Sequence, residues 1–302
     1  MTPIIKRGIL DMTLAMVMSG TIGWFVLQSG QTPINVVFWR CLIGAPVLTY
    51  LCHRAGALSI AAIGARRFFL AVLGGVALVL NWLALFSAYP LASISVTTIV
   101  YNVQPFMLVG LGLAFLGEKV NGAKLTWLGL AFAGMLVMTL AGQPVDGSGR
   151  TYLLGIALAL AAAACYAIAA FVTKQLKGTS PYLIALIQVL TGVVLLAPLA
   201  DFQDLPASPQ SWAMLGALGI VHTGIMYAFL YSAIQKLPVV LTGTLSFLYP
   251  VVAVMVDMAA FGHVLTLAQT IGGGAILFAA IATTLNWSPL PLLTLASRKD
   301  RA

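Results

Sequence analysis

Ten stretches of this chain stay apolar for about twenty residues each, and no other feature constrains its fold as tightly. They fall at residues 7–29, 34–53, 68–88, 94–116, 125–141, 152–173, 182–200, 211–231, 239–260 and 267–287. A run of that length crosses the hydrocarbon core of a bilayer as a helix. The chain is 61% hydrophobic and 7% charged, where a soluble domain carries roughly 25% charged residues. Too few charges remain to cover a water-facing surface, so the lipid bilayer is the expected solvent. Backbone groups in lipid must bond internally, which leaves helices or a closed barrel. Barrel strands alternate in polarity over about ten residues, and these runs do not alternate. The expected fold is therefore an all-α integral membrane protein of ten transmembrane helices.

Lys6 and Arg7 precede an apolar run that reaches residue 29. That exceeds the roughly 7–15 residues of a signal-peptide core, and no small-x-small cleavage site closes it. It reads as the first span. With the N-terminus inside, 13 of the 15 basic residues fall in cytoplasmic segments, while Asp146, Asp201 and Asp204 fall outside. This bias sets the orientation and places both termini in the cytoplasm. The net charge of +8 is spread singly and in pairs between apolar runs, so no nucleic-acid stripe is expected. Cys41, Cys52 and Cys165 all lie within apolar runs and read as small buried hydrophobes. No cofactor or metal motif is present, and the oligomeric state is not legible.

Five spans per half is an odd number, so two related halves enter the membrane from opposite sides. Residues 1–141 form the first five-helix repeat and 152–287 the second. Residues 142–151 are the periplasmic joint and 288–302 a cytoplasmic tail. One offset of 145 carries Trp82 onto Tyr227, Phe86 onto Tyr231, Thr97 onto Thr242, Pro105 onto Pro250 and Gly117 onto Gly262. Glu118 falls on His263, so that charge is not repeated.

Inverted repeats place a small-molecule site at their interface near the midplane, and paired interrupted spans point to it. Pro105 and Pro250 are such a pair. Each removes one helical hydrogen bond and displaces the carbonyl four residues back, those of Tyr101 and Ser246. Polar residues within spans face a cavity or the bundle interior. Asn81, Trp82, Tyr101, Gln104, His222, Tyr227, Ser246 and Tyr249 are accordingly the expected substrate-binding set. His222, at the centre of its span, is a candidate proton carrier. Arg40 lies about two turns inside the outer face. It would contact an anion, or act structurally by snorkelling outward or holding carbonyls. Trp24 and Tyr231 lie near span ends and read as interfacial belt residues. No carboxylate falls at mid-membrane, which favours facilitated exchange or weak proton coupling over a strongly ion-driven cycle.

The order of short motifs resembles the drug/metabolite transporter superfamily, in particular its EamA type. They are Phe38-Trp39-Arg40, the run Ala84-Leu85-Phe86-Ser87-Ala88-Tyr89-Pro90-Leu91-Ala92-Ser93, then Gln104-Pro105, and Leu116-Gly117-Glu118-Lys119 before the glycine-spaced fifth span. The second half departs from the pattern at His263, and at Gln188 where the first has Arg40. The resemblance implies a bacterial inner-membrane carrier, often an exporter of amino acids or related metabolites. It also implies a cavity among the first, third, fourth, sixth, eighth and ninth spans.

The expected function is alternating-access transport of small amphipathic metabolites, with export of amino acids or aromatic compounds foremost. Uptake of a nucleoside or vitamin-like compound is the alternative. An intramembrane enzyme is the alternative of a different class. The chain lacks a Gly-x-Gly-Asp motif, and Ser19-Gly20 is only a fragment of a serine-nucleophile context.

Overall fold

In the computed structural model, ten apolar helices occupy the ten runs among the described residues, which are 2–58, 63–92, 97, 100–118, 121–140, 149–203, 205–261 and 266–287. The rest of the joint from 142 to 148, the tail from 288, Ser93, Lys119, Asp146, Asp204 and His263 lie outside the described residues, as do the side chains of Pro90 and Asp257. The helices are α1 (Pro3–Ser29), α2 (Pro33–Arg54), α3 (Ala65–Ala92), α4 (Gln104–Phe115) and α5 (Gly122–Leu140). The second half supplies α6 (Arg150–Gln175), α7 (Pro181–Leu196), α8 (Pro209–Lys236), α9 in two segments (Val239–Ser246 and Leu248–Phe261) and α10 (Leu267–Thr284).

Local chemistry fixes several starts. Thr32 and Ser208 accept hydrogen bonds from the backbone N–H three residues on, with Pro33 and Pro209 at the first helical position. Thr266 and Gln269 close a reciprocal capping box at the head of α10.

The packing repeats with the sequence. α3 packs along α6, and α1 packs in the same way along α8. α3 meets α7 as α8 meets α2, and α4 meets α6 as α9 meets α1. Equivalent helices also pair: α2 with α7, α4 with α9, α5 with α10. This is the contact pattern of two inverted five-helix repeats. Lipid tails are as apolar as leucine, so close approach and polar bonds hold the helices together. Gly74 faces the side chain of Gln188, and at the same offset of 145 Gly219 faces Ile43, where an added Cβ would come within 2.5 Å of its Cβ.

Polarity is arranged inside out. Large apolar side chains such as Leu153, Val194, Leu267 and Ile271 are exposed around the bundle, whereas Arg40, Asn81, Gln104, Gln188 and His222 are buried within it.

Two runs are broken close to their prolines. α4 starts only at Gln104, after a turn at Asn102 and Val103 in which Val103 N–H bonds to Val100 O at 3.2 Å. α9 is interrupted at Phe247, whose N–H bonds to Thr244 O at 3.3 Å. Asn102 and Phe247 each precede a proline by three residues. The ring denies the carbonyl four residues back its donor, and tighter three-residue bonds take over. In α8 the ladder widens into a π-helical turn at Ile220–Ile225, a feature the sequence reading lacks.

Candidate functional site at the junction of the repeats

Both broken helices turn inward. Pro105 and Pro250 are buried, and Gly243 of α9 lies so close to Pro105 that a Cβ there would sit 3.1 Å from the proline Cβ. Beside the breaks, Asn102 donates from Nδ2 to the Tyr249 hydroxyl at 2.7 Å. That bond joins the interruption in one half to the residue next to the proline of the other.

Around this seam lies a belt of rings. The Trp82 indole on α3 meets Tyr227 on α8 edge to face, with centroids 5.7 Å apart. Tyr227 continues to Tyr231 at 5.3 Å, and Tyr101 meets Tyr166 of α6 at 6.2 Å. Asn81 donates to the Tyr101 hydroxyl at 3.2 Å and to Ala162 O at 2.9 Å, while its Oδ1 is buried with no hydrogen-bond partner among the described residues. Of the expected set, Asn81, Trp82, Gln104, His222, Tyr227 and Ser246 are buried, and Tyr101 and Tyr249 are half-buried.

The expected residues divide into contact groups. Asn81 joins Tyr101, and Trp82 joins Tyr227. Gln104 sits buried at the first position of α4 and makes no hydrogen bond to the others among the described residues. Ser246 turns its hydroxyl back to Gly243 O at 2.7 Å, the local bonding common for serine in helices.

His222 stands in the π turn. Its Nδ1 is 3.1 Å from Ala217 O, its Nε2 is 2.7 Å from Thr21 Oγ1 on α1, and Phe25 packs on the ring at 4.9 Å. A neutral ring fits these contacts, with Nδ1–H donating to the carbonyl and Nε2 accepting from Thr21. The Thr21 hydroxyl also reaches Met18 O at 2.8 Å, so its one proton serves either partner.

Two sequence expectations need correction. Arg40 does not snorkel, although it does hold a helix carbonyl, the other structural reading: it is 1% exposed and points into the bundle. Its Nε donates to Thr223 Oγ1 at 3.0 Å, an Nη2 hydrogen faces His222 O at 3.4 Å, and its guanidinium carbon lies 4.2 Å from the Trp82 ring centroid. Tyr231 is no belt residue either. It is 2% exposed and donates its hydroxyl to Gln188 Oε1. Both errors have one cause: position along a span gives depth in the membrane but not the face of the helix.

Sequence reading missed Asn102, Thr21 and Gln188 as members of this cluster. Asn102 carried a signal, being a polar residue in the turn that the Pro105 ring imposes. Thr21 and Gln188 carried none beyond their polarity.

Open concavities lie elsewhere, one on α2 around Pro46 and Tyr50, another where Arg66 and Arg67 at the head of α3 approach Gln175.

Comparison with known proteins gives one family twice. The EamA-like transporter family matches residues 6–140 and again 153–285. The chain is 29% identical over 284 residues to an uncharacterized transporter, YxxF, of Bacillus subtilis, covering 93% of this chain and 90% of that one. It is 25% identical over 280 residues to an uncharacterized transporter of Archaeoglobus fulgidus, covering 90% and 94%. It is 31% identical over 165 residues to the threonine/homoserine exporter RhtA of Escherichia coli, covering 53% of this chain and 54% of the exporter. A crystal structure with 21% sequence identity superposes with a TM-score of 0.83 over 94% of this chain and 98% of its own, which establishes a shared fold.

Proposed function

The chain belongs to the EamA-like transporter family, and from that premise we propose that it exports amino acids or small aromatic metabolites through the junction of its two halves. It is a multi-pass membrane transporter and not an enzyme. The cargo binds among Asn81, Trp82, Tyr101, Gln104, Tyr227, Ser246 and Tyr249, and the halves rock about that point to expose it to either side. The protein lies in a bacterial inner membrane with both termini in the cytoplasm, as the lysine and arginine bias supports.

One observation carries this reading. Two helix breaks at equivalent positions of opposite repeats are joined by the Asn102–Tyr249 hydrogen bond, and they lie beside a buried aromatic cluster. A packing kink needs no counterpart in the other half, whereas a site on the pseudo-axis does. The rings offer apolar faces and the amides a few directed bonds, the lining that suits a small amphipathic molecule. The partial match to an exporter of threonine and homoserine supports the direction and the class.

The test is flux of amino acids and aromatic acids from proteoliposomes of purified protein. Gln104→Ala, Trp82→Ala and Tyr249→Ala should each depress transport while the protein stays folded. Undiminished flux in all three would place the site elsewhere.

A further inference from the structure

Arg40 brings a full charge to the centre of the bundle, and nothing it touches among the described residues cancels that charge. Its three contacts, the Thr223 hydroxyl, the His222 carbonyl and the Trp82 ring, are all neutral. The ion pairs among the described residues use other groups: Arg7 and Lys236 with Asp11, and Lys174 with Glu118. A guanidinium has five N–H donors in a planar fork, and hydrogen bonds to Thr223 and His222 occupy two of them. A buried charge without a counter-ion is costly, and the cost falls when an opposite charge arrives. One residue along α3 from Trp82, the Asn81 Oδ1 atom is a second buried polar atom with no partner among the described residues.

We infer that Arg40 is the charge-reading residue of the central site and that the cargo is an organic monocarboxylate. The inference rests on the site location proposed above and adds its chemical class. A carboxylate matches the fork in plane and spacing, and takes two parallel hydrogen bonds from it. A single cation neutralises a single negative charge, so a phosphate dianion would bring in charge that nothing answers. No acidic side chain among the described residues joins the cluster, since Asp11 and Glu118 are engaged in ion pairs elsewhere and Asp201 lies exposed, accepting from Gln203 N–H. An ammonium group on the cargo would therefore meet only ring faces and amide oxygens. The site should read the carboxylate and tolerate the presence or absence of the amine.

Arg40 also clamps the π turn of α8, so loss of function alone would not separate binding from support. Selectivity does. The probes are L-tryptophan, indole-3-propionate, indole-3-propionamide and tryptamine, scored by thermal stabilisation of the purified protein. Tryptophan and indole-3-propionate should stabilise at concentrations roughly 10- to 100-fold below those needed for the amide and the amine. Arg40→Lys should keep part of that gap, and Arg40→Gln should close it. Equal response to acid and amide in the unmodified protein overturns the inference without any variant, as does a lack of response to both acids. A gap that persists in Arg40→Gln overturns it too. If Arg40→Gln does not fold, the acid–amide comparison and Arg40→Lys carry the test.

The two readings fail separately. A gap that follows Arg40, with normal flux in Gln104→Ala, Trp82→Ala and Tyr249→Ala, sinks the site location alone. Loss of flux in those variants without a gap sinks only the carboxylate.

Discussion

Trp82 and Tyr227 stand at equivalent positions of opposite halves and touch each other, ring edge to ring face, with centroids 5.7 Å apart. Two equivalent residues meet only where the symmetry relating them passes. Their contact therefore marks the pseudo-axis of the molecule, and Arg40 lies over the indole at that point. Edge-to-face rings contribute about 0.5–1.5 kcal/mol beyond the area they bury. A double-mutant cycle of Trp82→Ala and Tyr227→Ala, followed by thermal unfolding, should return a coupling of about that size. Additivity within roughly 0.3 kcal/mol would mean that the rings act independently.

Pro105 and Pro250 deny a donor to the carbonyls of Tyr101 and Ser246. Pro105→Ala and Pro250→Ala restore that N–H, so each break should close towards a regular helix. Stability should hold or rise by about 1 kcal/mol, the net worth of one hydrogen bond, while transport slows. Normal transport in both variants would make the breaks incidental to the cycle.

The charged contacts between the halves gather at the end of the bundle where α1 begins. Glu118 pairs with Lys174 at 2.8 Å and accepts from Val239 N–H at 2.9 Å, and Lys174 also donates to Leu237 O at 2.5 Å. Asp11 accepts from Lys236 and from Ser232, both at 2.7 Å, with Arg7 Nε 3.1 Å away. Opening at this end must part these groups. Glu118→Gln should weaken the closure, costing about 1–2 kcal/mol for partly exposed groups. A cysteine introduced in place of Thr242 should then react faster with a water-soluble thiol reagent. An unchanged rate would show that this network does not hold the end closed.

As a neutral imidazole His222 donates to Ala217 O and accepts from Thr21 when that hydroxyl turns towards it. Replacement by glutamine keeps a donor and an acceptor on the side chain. We expect His222→Gln to transport with an unaltered response to a pH gradient. If that response vanishes while binding survives, His222 is the proton carrier.

The helix number, the inverted repeat and the paired prolines were legible because each rests on chain-local chemistry. Apolar length sets a span, an odd count per half sets the inversion, and a proline breaks the ladder wherever it stands. Contacts that depend on how one helix faces another were not legible. Arg40 and Tyr231 show this: their depth followed from position in the run, but the inward turn of one and the Gln188 partner of the other depend on packing. The π turn of α8 was hidden for a similar reason. Its sequence, Ile220 to Ile225, holds no proline, and its one glycine, Gly224, fits an ordinary membrane helix, where glycine is frequent.

The central claim is that cargo occupies the seam between the two broken helices. The most direct measurement places a single cysteine at Ser246, with Cys41, Cys52 and Cys165 replaced by alanine, and follows its modification by a membrane-impermeant thiol reagent in vesicles of both orientations. The account predicts labelling from either side of the membrane and protection by a transported substrate. Labelling from neither side, or labelling that a transported substrate leaves unchanged, would contradict it.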